Sequence, residues 1–172
     1  GLAAYGNSQK TLPLFRRLMS VDLKRLEFRS HLGRWARPAA RKLHMLCQAM
    51  KREDIAAGVQ RRVEEVCCEL IGEAARRFGC SKLALAGGLY ANVRLNQKLA
   101  QLPVIEAIFV HPHMGDGGEA VGAALAVWAA SRAQAGQPAA PARLRHVYLG
   151  PAFDESTIEK ALQEAELPYQ KV

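Results

Sequence analysis

The order of apolar segments between residues 82 and 132 constrains the fold of this chain more than any other feature. Lys82 to Ala86 is a short, nearly continuous apolar run typical of a strand that is buried on both faces, and a helix is predicted from about Tyr90 to Gln101. Ile105 to His111 predicts a second buried strand, and residues 118–132 a second helix built from small residues that can press close against a sheet. Strand, helix, strand, helix is the order of a parallel sheet with right-handed crossovers. We therefore predict an α/β fold that is helix-rich and has a short parallel sheet.

A long amphipathic helix is predicted before the first strand. Apolar residues recur at helical spacing over about Glu53 to Phe78, and Gly79 is the expected stop. We expect this helix to pack on both strands through one apolar face, made by Val59, Val63, Val66 and Leu70.

Four regions follow from the same patterns. Residues 1–50 permit helices around 12–19, 23–31 and 37–50, and residues 51–132 form the α/β unit. Residues 133–143 lack both large apolar residues and a run of charge, which predicts a linker. Residues 144–172 have the pattern of the start of another domain, with a strand at 146–149 and a helix capped by Asp154 or by a Ser156–Glu159 capping box.

The charge of the chain is uneven. The net charge is +8, and residues 1–77 carry 16 Lys and Arg against 8 Asp and Glu, so the whole excess lies in the first half. Its cations, among them Arg16, Arg34 and Arg41, recur at spacings typical of solvated helix faces. A surface that docks other parts of the same protein is an alternative. Nucleic-acid binding is a third reading, but no nucleic-acid-binding motif supports it.

Composition also indicates where such a chain works. The longest apolar run, Val121 to Ala130, is half of the roughly 20 residues that a bilayer crossing needs, so no membrane span is expected. Four cysteines lie at spacings that match no zinc site or disulfide ladder, which favours reduced thiols in a cytoplasm. Because the first residue is Gly1 and no signal peptide follows, we expect a piece of a longer protein.

A glycine pair follows the first predicted strand. Gly87 and Gly88 end that strand and open into a helix, so backbone N–H groups can approach an anion where no Cβ obstructs them. Asn92 and Asn96 lie one helical turn apart and can point toward the same sugar hydroxyl or phosphate. This arrangement predicts a phosphate or nucleotide site. The alternative is a tight turn with a solvated Asn92.

A second glycine-rich loop follows the second predicted strand. Asp116 can bind a divalent metal while the amides of Gly117 and Gly118 hold phosphate, or it can cap the next helix. His111 and His113 are possible metal ligands, although histidines at strand ends often bond locally. Ligands of open α/β sheets bind at the carboxyl ends of the strands, so both loops are expected to face one crevice.

Together these loops resemble a known family. Residues 85–96 (LAGGLYANVRLN) followed by 109–124 (FVHPHMGDGGEAVGAA) are similar to the NodU/CmcH-type O-carbamoyltransferases of nodulation-factor and antibiotic biosynthesis. Residues 1–6 (GLAAYG), 54–60 (DIAAGVQ) and 148–153 (YLGPAF) resemble further family segments. The commonest family pattern has prolines and small residues where His111 and His113 stand.

The resemblance implies the second half of an actin/sugar-kinase-like (RNase H-like) ATPase lobe and the start of a C-terminal adenylate-forming domain. Such enzymes use carbamoyl phosphate and ATP to form carbamoyl adenylate and pass the carbamoyl group to a hydroxyl of a sugar or similar acceptor. By position, Gly87, Gly88 and Asn92 would hold the nucleotide and Asp116 a divalent metal, iron or magnesium. The remaining parts would lie in missing N- and C-terminal segments, so this chain alone is expected to bind nucleotide weakly and catalyse nothing.

Other function classes remain open on the sequence. A phosphotransferase or a threonylcarbamoyl-transferase-like protein of the same superfamily would also place glycine loops around ATP. A basic, non-enzymatic nucleic-acid-binding module would instead use residues 1–77 and show salt-sensitive binding.

Overall fold

The computed structural model describes residues 1–33, 37–140, 146–148 and 150–170. They form two compact units, 1–126 and 127–172, and the predicted helix-rich α/β character is confirmed. The helices are α1 Leu12–Leu18, α2 Arg37–Cys47, α3 Arg52–Phe78, α4 Val93–Ala100, α5 Glu119–Gln134 and α6 Glu155–Glu164, and the strands are β1 Met19–Asp22, β2 Glu27–Ser30, β3 Lys82–Leu85 and β4 Ala107–Val110. Short 3-10 turns lie at Leu2–Tyr5, Ser8–Lys10, Gly88–Ala91 and Asp116–Gly118.

Helix α3 is the longest element of the first unit and confirms the predicted long helix. It ends where Gly79 adopts the left-handed conformation, with φ +63°, and Gly79 N–H bonds back to the last turn. Glu53 and Asp54 lie in its first turn and Arg76 and Arg77 in its last, which suits the helix dipole at both ends.

Strands β3 and β4 are parallel neighbours, as predicted, with Leu83 opposite Ile108 in the register. The expectation that they are buried on both faces is wrong. Along each strand, inward and outward positions alternate. Leu85 is buried, and Leu83, Ile108 and Val110 are half-buried. The residues between them are exposed, namely Lys82, Ala84, Ala107 and Phe109. Such alternation is typical of a sheet covered on one face only.

The core that supports this sheet centres on α4. Leu95 and Leu99 are fully buried with Leu85, and each such leucine contributes about 1.5–3 kcal/mol of burial free energy. The α3 side chains packed on them are Val63, Cys67, Cys68 and Ile71. The predicted face is therefore right at Val63 and wrong elsewhere: Val66 and Leu70 are outside this cluster, and Val59 packs on the core of α1 and α2.

The predicted helix from Tyr90 to Gln101 is interrupted. Gly88–Ala91 forms a 3-10 turn, and Asn92, with extended backbone angles, separates it from α4. The Asn92 side chain accepts a hydrogen bond from Leu95 N and so caps α4. The helix begins three residues later than predicted because asparagine favours the cap over a helix interior.

The first 50 residues hold two of the three predicted helices, α1 and α2. The helix predicted at 23–31 is wrong, because β1 and β2 form an antiparallel hairpin there with Met19 opposite Ser30. Asp22 Oδ1 accepts from the backbone N–H groups of Lys24 and Arg25, which fixes the turn. Leu14, Phe15, Leu18 and Cys47 form the core of this region.

Helix α5 also differs from expectation. It begins after the 3-10 turn Asp116–Gly118. None of its residues 119–126, which belong to the first unit, is buried, so this part does not press against the sheet as predicted. Val121 and Leu125 remain about half exposed.

In the second unit, α6 confirms the predicted C-terminal helix. Asp154 Oδ1 accepts from Thr157 N at 2.7 Å and is the cap. Ser156 is not the cap, since its hydroxyl donates to Asp154 instead.

The strand predicted at 146–149 is not found, because residues 146–148 are not in a strand and Leu149 lies outside the described residues. Arg34, one of the cations of the first half, also lies outside them. So do positions 141–145, which belong to the predicted linker and to the start of the predicted C-terminal domain. No helix in the described ranges is long and apolar enough to cross a bilayer.

Candidate functional site

The first glycine loop begins where β3 ends at Leu85. Gly87 has φ +109°, a conformation that L side chains rarely adopt, and Gly88 opens the 3-10 turn. A Cβ atom added at either glycine would meet no other atom within 4 Å. Open space therefore lies beside both glycines, which is what close approach of a phosphate requires.

The second loop, residues 111–118, is bonded to the first. Gly87 N donates to Met114 O at 2.6 Å, which joins the two segments just beyond the parallel strands. Since β3 and β4 are parallel, both loops leave the same edge of the sheet. The structure thus brings together the two segments that the sequence placed in one crevice.

A cavity of about 510 Å³ lies between the second loop and α5. Of the predicted site residues it is lined by Gly87, Asp116 and Gly118, together with His111 and His113. Its remaining wall is largely apolar, with Val121 and Leu125 from α5. Mostly apolar walls with a few convergent polar groups are typical of small-molecule sites.

The two histidines shape the loop that carries these glycines. His113 N donates to His111 Nδ1 at 3.2 Å, so Nδ1 of that imidazole acts as an acceptor. The His113 ring covers Gly117, where an added Cβ would lie 2.0 Å from Nε2. A Cβ at Gly118 would lie 2.2 Å from His113 O. Gly118 therefore requires glycine for packing, because the blocking atom belongs to the backbone. At Gly117 a side chain would force the exposed His113 ring to shift.

Asp116 is the first residue of a 3-10 turn whose N-cap is Gly115, and no side-chain capping bond is found there. Within the described part of the chain the Asp116 carboxylate makes no hydrogen bond, so the helix-capping alternative has no support. It lines the cavity instead. No three His, Cys, Asp or Glu side chains converge into a metal site among the described residues. A metal at Asp116 thus requires ligands from outside them.

Asn92 is not in this cavity. Its side chain is held by the α4 cap and by Gln60 of α3: Asn92 Nδ2 donates to Gln60 Oε1 at 2.8 Å, and Gln60 Nε2 donates back at 3.3 Å. Asn96 is turned elsewhere and donates to Tyr90 O at 2.8 Å. The two asparagines therefore do not converge on one ligand.

Sequence reasoning missed the polar residues of α3 that hold this loop. Glu64 is only 4% exposed, and its Oε1 accepts from Gln60 Nε2 at 2.8 Å and from Arg94 Nε at 3.0 Å. The sequence signal that could have found them is the presence of two polar residues, Gln60 and Glu64, four positions apart among the apolar residues of a long helix. Their partners lie 30 or more residues along the chain, which the sequence does not reveal.

The neighbouring thiols and phenol are not poised for proton transfer or attack. Burial raises the pKa of the Cys67 and Cys68 thiols, and burial likewise raises the pKa of the Tyr90 hydroxyl. All three groups therefore stay protonated near neutral pH. The chemistry that the glycine loops can support is binding of an anionic ligand through the backbone.

Comparison with known proteins agrees with this geometry. A family described as "Carbamoyltransferase N-terminus" matches residues 36–125, which span both loops. The nodulation protein NolO of Bradyrhizobium diazoefficiens is 32% identical over 155 residues, covering 88% of this chain and 27% of the relative. The nodulation protein NolNO of Sinorhizobium fredii is 31% identical over 155 residues, covering 88% of this chain and 22% of the relative.

A further relative carries a related activity in its name. The tRNA N6-adenosine threonylcarbamoyltransferase of Thermomicrobium roseum is 35% identical over 79 residues, covering 46% of this chain and 22% of the relative. This chain spans about a quarter of the length of the curated relatives that it matches. With more than half of its residues matched by the family and both glycine loops in place, the chain belongs to the carbamoyltransferase family.

Proposed function

We propose that the intact protein is an ATP-dependent O-carbamoyltransferase and that residues 51–132 are half of an actin/sugar-kinase-like nucleotide-binding lobe. The observation that carries this proposal is the Gly87–Met114 bond, which joins two glycine loops at one edge of a parallel sheet in a carbamoyltransferase-family chain. Carbamoyl phosphate would lose inorganic phosphate to water, and the oxygen of the resulting carbamate would bond to the α-phosphorus of ATP as pyrophosphate leaves, which gives carbamoyl adenylate. The acceptor hydroxyl oxygen then bonds to the carbamoyl carbon, the bond from that carbon to the AMP oxygen breaks, and the hydroxyl proton is released.

The chain's own contribution is to hold the nucleotide. Gly87 N is committed to Met114 O, so we assign the backbone contact with phosphate to Gly88, beside which space is open. On the opposite loop, Gly118 N already donates to Gly115 O at 2.9 Å, so Gly117 would supply the backbone N–H on this side while Gly118 forms part of the cavity wall. Asn92 would act by shaping the loop, since its amide is already bonded to Gln60 and Leu95.

A divalent metal, iron or magnesium, is proposed to bind beside the nucleotide with Asp116 as one ligand. The cavity lining offers two carboxylates, Asp116 and Glu119, and the two loop histidines. Among the described residues no three of these side chains converge closely enough to hold a metal, so the donor set is incomplete. The remaining ligands would come from other parts of the intact protein.

The test uses the intact protein and two variants that each introduce a valine. Gly88→Val places a side chain where phosphate would lie, and Ala100→Val adds one to the exposed end of α4. Because this side chain would exclude the phosphate, we expect Gly88→Val to reduce carbamoyl-phosphate-dependent pyrophosphate release and ATP affinity by about ten-fold or more. Its thermal stability should be retained. Ala100→Val should match the parent. If ATP is hydrolysed at the same rate with and without carbamoyl phosphate, the phosphotransferase alternative is favoured and the proposal is contradicted.

A second candidate is transfer of a threonylcarbamoyl group to tRNA. It is favoured by one observation, the likeness of 79 residues to a tRNA N6-adenosine threonylcarbamoyltransferase. Here the acceptor is an amine of adenosine and not a hydroxyl. Incubating the intact protein with labelled donor and either tRNA or hydroxyl acceptors distinguishes the two, because only one class of acceptor should become labelled.

A further inference from the structure

A larger open cleft lies on the other side of the first glycine loop. Its volume is about 940 Å³, and it is formed by the first eight residues, by one face of α3 and by the segment from Leu89 to Arg94. Gly87 faces the smaller cavity, whereas Leu89 and Asn92 line this cleft. The loop therefore separates two spaces within the first unit. Gly87, Asp116 and Gly118 line the smaller one, whereas Gly88 and Gly117 are not in the lining of either.

The cleft has an apolar floor. Its walls include the small side chains Ala3, Ala4, Ala56 and Ala57 and the larger Val59, Val63 and Leu89. Ala57 is buried, but Ala4 is exposed at the opening. Small side chains leave room for a bulky apolar group, which is the reason that a cleft of this size can form between a helix and a chain segment packed on it.

One end of the cleft is polar and carries excess positive charge. Two arginines line it, Arg61 and Arg94, whose side chains are 49% and 64% exposed. The single carboxylate of this lining is Glu64, which is buried, bonded to Gln60 and Arg94, and 3.9 Å from Arg61 Nη1. Arg61 Nε also lies 3.5 Å from Oε1 of Glu65, which in turn pairs with Arg16 and Arg62. Together with Glu69, which pairs with Arg62, this ion-pair network holds four arginines and three glutamates and so keeps one net positive charge.

The chemistry of this lining selects a ligand class. Guanidinium groups bind carboxylate and phosphate oxygens through paired N–H donors, and the Arg94 contact with Glu64 uses only Nε. An apolar body would lie on the alanine floor while its anionic group meets the arginines. We propose that this cleft is a second binding site, for an organic anion with an apolar body, and that it receives the hydroxyl acceptor.

The acceptor part of this inference rests on the proposed function, whereas the ligand class rests on the cleft alone. Binding is tested first in the intact protein with two probes, phenyl phosphate and benzoate, and with uncharged benzyl alcohol as the matched neutral compound. We expect saturable binding of the anionic probes, weakened by added salt, and at least about ten-fold weaker binding of benzyl alcohol. The two anions then distinguish a phosphate from a carboxylate as the preferred group.

Variants assign the binding to the cleft. Arg94→Gln should weaken both anions by about ten-fold, while Arg41→Gln on the exposed face of α2 should leave them unchanged. Because Arg94→Gln also removes a partner of buried Glu64, a second variant is needed that spares the core. Ala4→Phe fills the cleft from an exposed position, and it should abolish binding of both probes at unchanged thermal stability.

The results separate the two proposals. The site is overturned if the parent protein shows no saturable binding, or if Arg94→Gln and Ala4→Phe bind the probes as tightly as the parent does. Displacement of the probes by ATP also overturns it, since the cleft would then belong to the nucleotide. If 4-(hydroxymethyl)benzoate binds and is carbamoylated, both proposals are supported. If the anions bind as expected but the protein carbamoylates no hydroxyl compound, the proposed function fails and the anion site stands.

Discussion

Gln60 and Asn92 bond to each other through both atoms of each side-chain amide, across 32 residues of sequence. Asn92 at the same time caps α4 through Leu95 N. One side chain of α3 therefore fixes the residue at which the first glycine loop becomes a helix. This pairing gives α3 a direct part in shaping the loop that the sequence identified as a nucleotide site.

Replacing Gln60 tests that part. Gln60→Leu removes the acceptor of Asn92 Nδ2 and one of the donors to Glu64 Oε1, so the free energy of unfolding should fall by about 1–3 kcal/mol. The control is Gln97→Leu on the exposed face of α4, where a change within about 0.5 kcal/mol is expected. Urea unfolding of the three proteins is the measurement. Equal stability of both variants would mean that the amide pair does not hold the loop.

The two glycines of the first loop should differ in their tolerance of alanine. Gly87 has φ +109°, so Gly87→Ala should cost about 1–3 kcal/mol of stability. Gly88 has no such angle and no neighbour within 4 Å, so Gly88→Ala should cost less than about 1 kcal/mol. Thermal melts of both variants compare them directly. A Gly87→Ala protein that melts with the parent would disprove the strained conformation.

Gly117 and His113 should behave as a coupled pair. Gly117→Ala puts a Cβ against the exposed His113 ring, which has to shift, so the free energy of unfolding should fall by about 0.5–1.5 kcal/mol. The same substitution after His113→Ala should cost little, because the ring is gone, and a double-mutant cycle measures the difference. Gly122→Ala in α5 meets no atom and should stabilise the helix by up to about 1 kcal/mol. Additive effects at residues 113 and 117 would contradict this packing.

Asp116 should matter for binding and not for folding. Its carboxylate makes no capping bond among the described residues, so Asp116→Asn should change the melting temperature very little. If it ligates a metal, removal of the charge should lower metal content and carbamoyl transfer in the intact protein by about ten-fold or more. Elemental analysis of the purified variant tests the ligand role, and normal metal content would remove Asp116 from it.

Asp54 should make the fold sensitive to acid. The hydrogen bond from Asn7 N, reinforced by Lys10, lowers the pKa of the Asp54 carboxyl in the folded protein. The ionised group therefore stabilises the fold above its unfolded pKa of about 3.9, and this contribution is lost as the pH falls through the lower folded pKa. The melting temperature of the parent should exceed that of Asp54→Asn at pH 7, and the gap should narrow below about pH 4. If the difference in melting temperature between the two proteins did not change with pH, the stabilising role of the ionised Asp54 carboxylate would be contradicted.

Local signals in the sequence determined several features of this protein. The periodicity of α3 and the stop at Gly79 depend on neighbours within a few residues, and both are confirmed in the structure. The strand–helix–strand order predicted parallel neighbouring strands, because a crossover through a helix brings two such strands side by side in one direction. Because a glycine pair after a strand also has a local physical meaning, the family resemblance could be drawn from the loops, and the match over residues 36–125 confirms it.

Tertiary structure decided what depends on distant partners. Asn92 pairs with Gln60 and caps α4, so the helix starts later than its periodicity predicted. Residues 23–31 turn into a hairpin because Asp22 captures the turn amides and β2 pairs with β1, which outweighs a modest local helix preference. The sheet is covered on one face only, although its strands are nearly continuous apolar runs, since burial depends on which elements reach each face and not on the strand itself.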